Sequence, residues 1–270
     1  MRVVVVMSYT VPVVSIFTAG SASGGTSQER QARQGNDISS SNLAWGSGFS
    51  PGVRCGMTFT ALARYNTPTT IDSRSVTSLD DPRLIALFDM AKRQTNNATA
   101  LYVIYVSGEF LTSSGNVIGM GGPRFKFYNS TTDYGLYGHI VMSDGALNSY
   151  GLAHEAGHCL FGRFLNSNQN SFTINDPSNP GSDHSNNPQN LMFPTIPNQN
   201  PEIVASQCST ARLSKIVSQN ATNSRGKIIK NNLTTMKKLN ARIIAKMRYM
   251  KKDTLRRRPA KAIMRRSKVR

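Results

Sequence analysis

The chain has 270 residues, 39% of them hydrophobic, and a formal charge of +18. No apolar run reaches the length of about 18 residues that a membrane-spanning helix needs, and three cysteines are too few for a disulfide-built scaffold. The charge is uneven: residues 1–210 carry 12 Lys+Arg against 13 Asp+Glu, and residues 211–270 carry 20 against the single acid Asp253, so any affinity for polyanions belongs to that last segment.

Met1-Arg2 followed by Val3–Phe17 and Thr18-Ala19-Gly20-Ser21-Ala22 reads in two ways. It has the outline of a short secretory signal with a small-residue cleavage site. Ser8, Tyr9, Thr10 and Pro12 interrupt its apolar core, however, and the density of Val favours a β-strand of the fold. Residues 19–26 form a loop, and Ser27–Asn42 is a polar segment of helix-forming residues. Trp45–Pro51 is Gly-rich and turns, and Gly56–Arg64 alternates as a strand does. Asp80 or Asp81 caps a helix that takes Pro82 near its first position and runs through Leu84, Leu87, Phe88 and Ala91. Leu101–Val106 is a near-continuous apolar run, the pattern of a strand buried on both faces. Gly119–Phe127 contains glycines and Pro123, which favours an edge strand. His139–Met142 is a further short strand, and Ser143-Asp144-Gly145 turns the chain towards a helix capped by Asn148 or Ser149.

That helix carries His154-Glu155-Ala156-Gly157-His158. Residues four apart share a helix face, so His154 and His158 can reach one cation, each at about 2.0–2.1 Å if it is zinc. Glu155 lies about 100° round the helix, where it can take a proton from water without being a ligand. The surrounding Gly151, Leu152, Ala153, Ala156 and Gly157 are small or apolar, as in a buried helix. Two buried imidazoles beside a carboxylate need partners, and a metal supplies them. One helix face cannot close a tetrahedral site, so a third ligand must come from elsewhere. Downstream candidates are His184, followed by Asn190-Leu191-Met192-Phe193-Pro194, and its rivals Asp183 and Glu202.

Over residues 150–197 the chain resembles the metzincin branch of zinc metallopeptidases, in which the helix motif continues as HExxHxxGxxH and a Met-containing turn follows. Met192 stands eight residues after His184, a spacing similar to that of matrix-metalloproteinase-like and related bacterial members. The resemblance implies zinc held by His154, His158 and His184, Glu155 as catalytic base, and Met192 as an apolar floor under the imidazoles. It implies an α/β (α+β) fold of zincin type: a mixed twisted sheet, an active-site helix over about 148–161, a small C-terminal subdomain and a basic helical tail. The chain departs from the pattern where Phe161 and Phe164 occupy the places of the motif's glycine and third histidine, and where His184 falls 26 residues after His158. A polar insertion over about 163–183, between helix and third ligand, accounts for this. Gly162, one place later than the motif's glycine, would still allow a left-handed turn out of the helix. The domain would span 1–210 with its turn at 190–194.

Cys159 falls on the metal helix, so Cys55–Cys208 is the disulfide to test first. Pro201–Ile216 reads as the last helix of the domain. His139 reads as structural or exposed. In 211–270, Met236, Leu239, Ile243, Met247 and Met250 recur at helical spacing among Lys and Arg until Pro259. Two functions follow. The first is a secreted, zinc-dependent endopeptidase acting on extended peptide or protein substrates. The second is a protein that binds nucleic acid or anionic membrane through 211–270, with the peptidase-like domain as scaffold.

Overall fold

The Val-rich N-terminal stretch folds as β1 (Val5–Ala19), and it lies in the middle of a sheet. In this computed structural model, residues 5–22, 25–113, 115–223 and 228–229 are described. β1 pairs in parallel with β2 (Met57–Thr70) on one side and with β3 (Leu101–Tyr105) on the other. β3 pairs in parallel with β5 (Asp133–Met142), and β4 (Gly119–Ser130) runs antiparallel to β5 with Gly119 opposite Met142. The order is therefore β2–β1–β3–β5–β4, a mixed α/β sheet with β4 at one end.

Alternation along these strands divides the core in two. Val11, Val13 and Phe17 of β1 join Leu101, Val103, Tyr105, Ile140 and Met142 on one face, together with Leu152, Ala153, Ala156 and Leu160 of the helix that carries His154 and His158. Val14 and Ile16 join Tyr102, Ile104 and Val141 on the other, under α2 (Pro82–Thr95). Every residue of β3 is buried, as its unbroken apolar run predicts. Asp81 caps α2 by accepting from the Arg83 N–H at 2.9 Å, and Pro82 takes the first position.

α1 (Ser27–Ser41) buries polar side chains. Arg33 Nε donates to Asp37 Oδ2 at 2.9 Å, both side chains being almost fully buried, and the Tyr105 hydroxyl donates to the same oxygen at 3.0 Å. The Arg33 guanidinium also donates to the Ser143 carbonyl. The helix continues into a π-helical turn, Asn42–Ser47, which overlaps the first residues of the Gly-rich turn read over Trp45–Pro51. That turn buries Trp45.

The last helix, α4 (Ala205–Leu213), is shorter than the predicted 201–216. Cys55 and Cys208 form a disulfide with Cα atoms 5.2 Å apart, and Arg212 Nε donates to the Cys55 carbonyl at 2.7 Å. Cys159 is a free, buried thiol. Residues Met7–Asn220 form one compact unit whose core includes Ile216 and Val217. A second unit comprises Met1–Val6 with Ala221–Arg270; in it Ala221 and Thr222 pair with Ile229 and Ile228. The basic amphipathic segment 235–258 lies outside the described residues. Among the described residues no helix is long and apolar enough to cross a membrane.

His139 sits within β5, 2% exposed, its ring stacked on Phe88 with centroids 3.8 Å apart, and neither ring nitrogen has a hydrogen-bond partner. Burial pushes its pKa down to about 3, helped by Lys92 and Arg124. The unfolded chain protonates this ring near pH 6.5. Between pH 6.5 and 3 the unfolded state therefore binds more protons, and stability falls as pH drops through that window. His139→Phe keeps the stack and removes the proton site. Its unfolding free energy, measured in urea, should fall less than that of the wild type between pH 7 and 4.5, the difference in slope being at most about 1.4 kcal/mol per pH unit. Parallel profiles would show that the ring is not a buried neutral imidazole.

Candidate metal centre

α3 (Gly151–Leu160) is ten residues long and buried throughout. It starts later than the predicted 148. Asn148 has φ +56°, outside the helical region, and Ser149 Oγ accepts the Gly151 N–H at 3.0 Å just ahead of the first turn. The residue before the helix, Tyr150, offers no side-chain cap. Trp45 Nε1 donates to the Ala153 carbonyl at 3.0 Å and so ties α3 to the π-helical turn. Beneath the helix, Gly157 leaves room for Met192. A Cβ there would collide with the Met192 sulfur, so the small residue is a packing requirement.

His154 and His158 project from one face of α3, with their Nε2 atoms 3.1 Å apart. His154 Nδ1 lies 2.7 Å from the Leu191 carbonyl oxygen. A carbonyl only accepts, so the proton sits on Nδ1 and the Nε2 lone pair is free. His184 repeats the arrangement, with Nδ1 2.9 Å from Asp183 Oδ1. One nitrogen from each of the three rings lies within 4.8 Å of the others, and among the described residues no carboxylate joins the group. Asp183, a rival ligand in the sequence, instead orients His184. The backbone of Glu202, the other rival, bonds to Gln189 and Leu191.

These residues fit a small divalent cation. Three nitrogens at about 2.0–2.1 Å from zinc in tetrahedral geometry stand about 3.3–3.4 Å apart, close to the His154–His158 separation. Burial pushes the His154 imidazole down to about 4 and His158 well below its ordinary value, so both are neutral, the form that ligates. His158 Nδ1 is buried without a hydrogen-bond partner.

Glu155 is 6% exposed. Burial pushes its carboxyl up to about 8, and a hydrogen bond from the Gly121 backbone pulls the other way. β4 passes so close that a Cβ at Gly119 would fall 2.9 Å from Glu155 Oε1, and one at Gly121 would fall 2.8 Å from Glu155 Cβ. The sequence marked these glycines only as signs of an edge strand. Their second role, close approach of the strand to the helix, needs the tertiary structure to be seen.

The three histidines and Glu155 line a cleft of about 870 Å³. Its other walls are residues 116–121 leading into β4, Asn148–Tyr150, and Pro194–Asn198. Phe161 and Phe164, which stand where the family motif has glycine and histidine, are packing residues. Phe161 meets Trp45 edge-on, and Phe164 lies among Phe125, Phe127, Tyr134 and Phe172. Gly162 does not use the left-handed freedom that a glycine allows. It is glycine because a Cβ would fall 2.8 Å from Pro123 of β4. The insertion, predicted as loop, contains a two-residue hairpin in which Arg163 and Phe164 pair with Thr173 and Phe172.

No family model and no curated protein sequence matches the chain. Among solved structures it is similar to metalloproteinase-II from Bacteroides fragilis, with TM-score 0.45 and 15% identity over 75% of this chain and 52% of that one. A chaperone-substrate complex gives TM-score 0.43 and 14% identity over 77% of this chain and 34% of that one. The chain thus spans about half the length of the first structure and about a third of the second. At these values neither likeness bears on the chemistry, which rests on the geometry of the three rings.

Proposed function

We propose that the chain is a secreted zinc-dependent endopeptidase of metzincin type, with His154, His158 and His184 as metal ligands and Glu155 as general base. The observation that carries this reading is the convergence of three imidazole nitrogens, drawn from two separate segments, beside one buried carboxylate in an open cleft. Zinc, when bound, supplies a Lewis acid that polarises the scissile carbonyl and acidifies water.

The protein's own groups do the rest. Glu155 accepts a proton from water in the cleft and delivers it to the leaving amine. A carboxyl pushed up by burial holds that proton readily until the leaving amine takes it, and the hydrogen bond from the Gly121 backbone favours its return to the ionised form. β4 ends the sheet order, so its outer edge can take an extended peptide by strand addition, which would lay a backbone along the cleft wall near Gly119–Gly121. Met192 packed against Gly157 and the Leu191 carbonyl holding His154 support the metzincin reading of the turn at 190–194. A disulfide between Cys55 and Cys208 is at home in an oxidising compartment, which supports secretion.

The test uses the full chain and an unstructured protein as substrate. One zinc per chain, cleavage that a chelator stops, and recovery on adding zinc are the expected results. Cleavage indifferent to chelation, or a chain that takes up no zinc, overturns the reading.

Gly121→Ala is a sharper probe of the geometry. The added methyl would press on the Glu155 Cβ and carbonyl, forcing β4 and α3 apart. A shift of about 1 Å at a reacting group can cost about 100-fold, and overpacking costs roughly 1–3 kcal/mol of stability. Gly35→Ala is the control, because a Cβ there meets nothing within 4 Å. Equal turnover in the two variants would show that the approach of β4 does not position Glu155.

A further inference from the structure

The third ligand reaches the site from a long polar insertion, and ordering such a segment is expensive. Each fixed residue costs roughly 1–2 kcal/mol of backbone entropy. A ligand that visits the competent position only part of the time binds metal more weakly in proportion to that fraction. Something must therefore hold the insertion still. Within residues 163–183 one residue is buried, and it is Asp176, at 0% exposure. A carboxylate sunk beneath a polar loop is costly unless it is fully bonded.

We propose that Asp176, Gln207 and Asn190 form a buried chain of positioning residues that holds His184 and His154 in register and thereby sets the metal affinity of the site. The inference rests on the metal-centre reading above.

Towards the third ligand, Asp176 organises its own turn. Ser178 donates to Asp176 Oδ1 through its N–H and its hydroxyl, both at 2.7 Å. Asp176 N–H donates to the Ser182 carbonyl, Asn179 N–H to the Asp176 carbonyl, and Ser182 N–H to the Asn179 carbonyl. From this closed turn two bonds reach the backbone of the ligand: Asn179 Nδ2 donates to the His184 carbonyl at 2.8 Å, and Ser182 Oγ accepts the His184 N–H at 3.1 Å.

Towards the first ligand, Asp176 Oδ2 accepts from Gln207 Nε2 of α4 at 2.7 Å. The Gln207 and Asn190 carboxamides pair in both directions, at 3.0 and 2.9 Å. Gln207 is 0% and Asn190 1% exposed, so no water competes for these bonds. Asn190 Oδ1 also accepts the Met192 N–H at 2.9 Å, which fixes the turn whose Leu191 carbonyl orients the His154 ring. One buried carboxylate thus governs the backbone that presents His184 and the acceptor that aims His154. Outer partners of this kind typically contribute 10–100-fold to metal affinity.

The experiment measures zinc binding, independently of turnover, in the full chain and in Gln207→Met and Asn179→Ala. Zinc Kd is read by competition with a chromophoric chelator. Geometry is read from the visible absorption of the Co2+-loaded protein, and folding from near-UV circular dichroism. Both variants are expected to keep a native spectrum, to bind zinc about 10–100-fold more weakly, and to show altered Co2+ bands. A purely structural role would lower stability yet leave Kd and the Co2+ bands of the folded protein unchanged, and that result overturns the inference. If Gln207→Met does not fold, Asn179→Ala decides alone, because its side chain is only half-buried and lies at the end of the chain of bonds. Tight zinc in the wild type and in the folded variants alike sinks this inference only. A wild-type chain that binds no zinc sinks the metal-centre reading and this inference with it.

Discussion

Glu155→Gln should lower peptide hydrolysis by about 10²–10⁴-fold while leaving zinc affinity within a few-fold of wild type. The magnitude is that of a positioned general acid–base group, and the separation of the two effects follows from where the side chain sits. Glu155 is on the flank of α3, not among the three converging nitrogens. A carboxamide has the same shape, so it fits under Gly119 and Gly121, where any added bulk collides, and its oxygen can still accept from the Gly121 backbone. It cannot take a proton from water. The loss should therefore appear in kcat, with KM for an unstructured substrate little changed. A variant that hydrolyses at the wild-type rate would remove Glu155 from the mechanism. One that loses zinc together with activity would show that the carboxylate supports the metal directly.

The parts of this site that were legible in the sequence are those set by local geometry. His154 and His158 stand one helical turn apart whatever the rest of the chain does. The small residues around them predict burial, and α3 is buried from Gly151 to Leu160. β3 was readable because a strand covered on both faces has no polar alternation. β1 was ambiguous for a physical reason: a central strand of fifteen residues and the apolar core of a signal peptide share a composition. The parts that were not legible are those made by tertiary approach. α1 has no apolar stripe because it buries an ion pair, Arg33 with Asp37, and no hydrophobic period reveals that. Trp45 lay in a stretch that read as a turn, and only the packed structure shows its indole holding the Ala153 carbonyl. The glycines of β4 announced an edge but not the helix pressed against it. Asp176 is one polar residue among many in the sequence of the insertion, and its bond to Gln207 of α4 exists only in the folded chain.

His184→Ala should weaken zinc binding by more than about 100-fold, since losing a ligand must cost at least as much as losing an outer-sphere partner, itself worth 10–100-fold. Only two imidazoles on one helix face would remain, too few to close a tetrahedral site. The fold should survive, because the His184 side chain is 30% exposed and its backbone bonds to Asn179 and Ser182 do not use the ring. Activity should vanish with the metal and return in part only at high added zinc. This pattern is the reverse of that expected for Glu155→Gln, where the metal stays and turnover goes, so the pair of variants separates ligand from base without a crystal. Asp183 provides the cross-check. Its carboxylate bonds His184 Nδ1, so Asp183→Asn, whose amide oxygen can still accept that proton, should cost far less zinc affinity than His184→Ala. Should His184→Ala keep full zinc occupancy while Asp183→Asn loses it, the third ligand is the aspartate. The ring nitrogens would then converge for another reason, and the peptidase reading would have to be rebuilt on an aspartate-ligated centre.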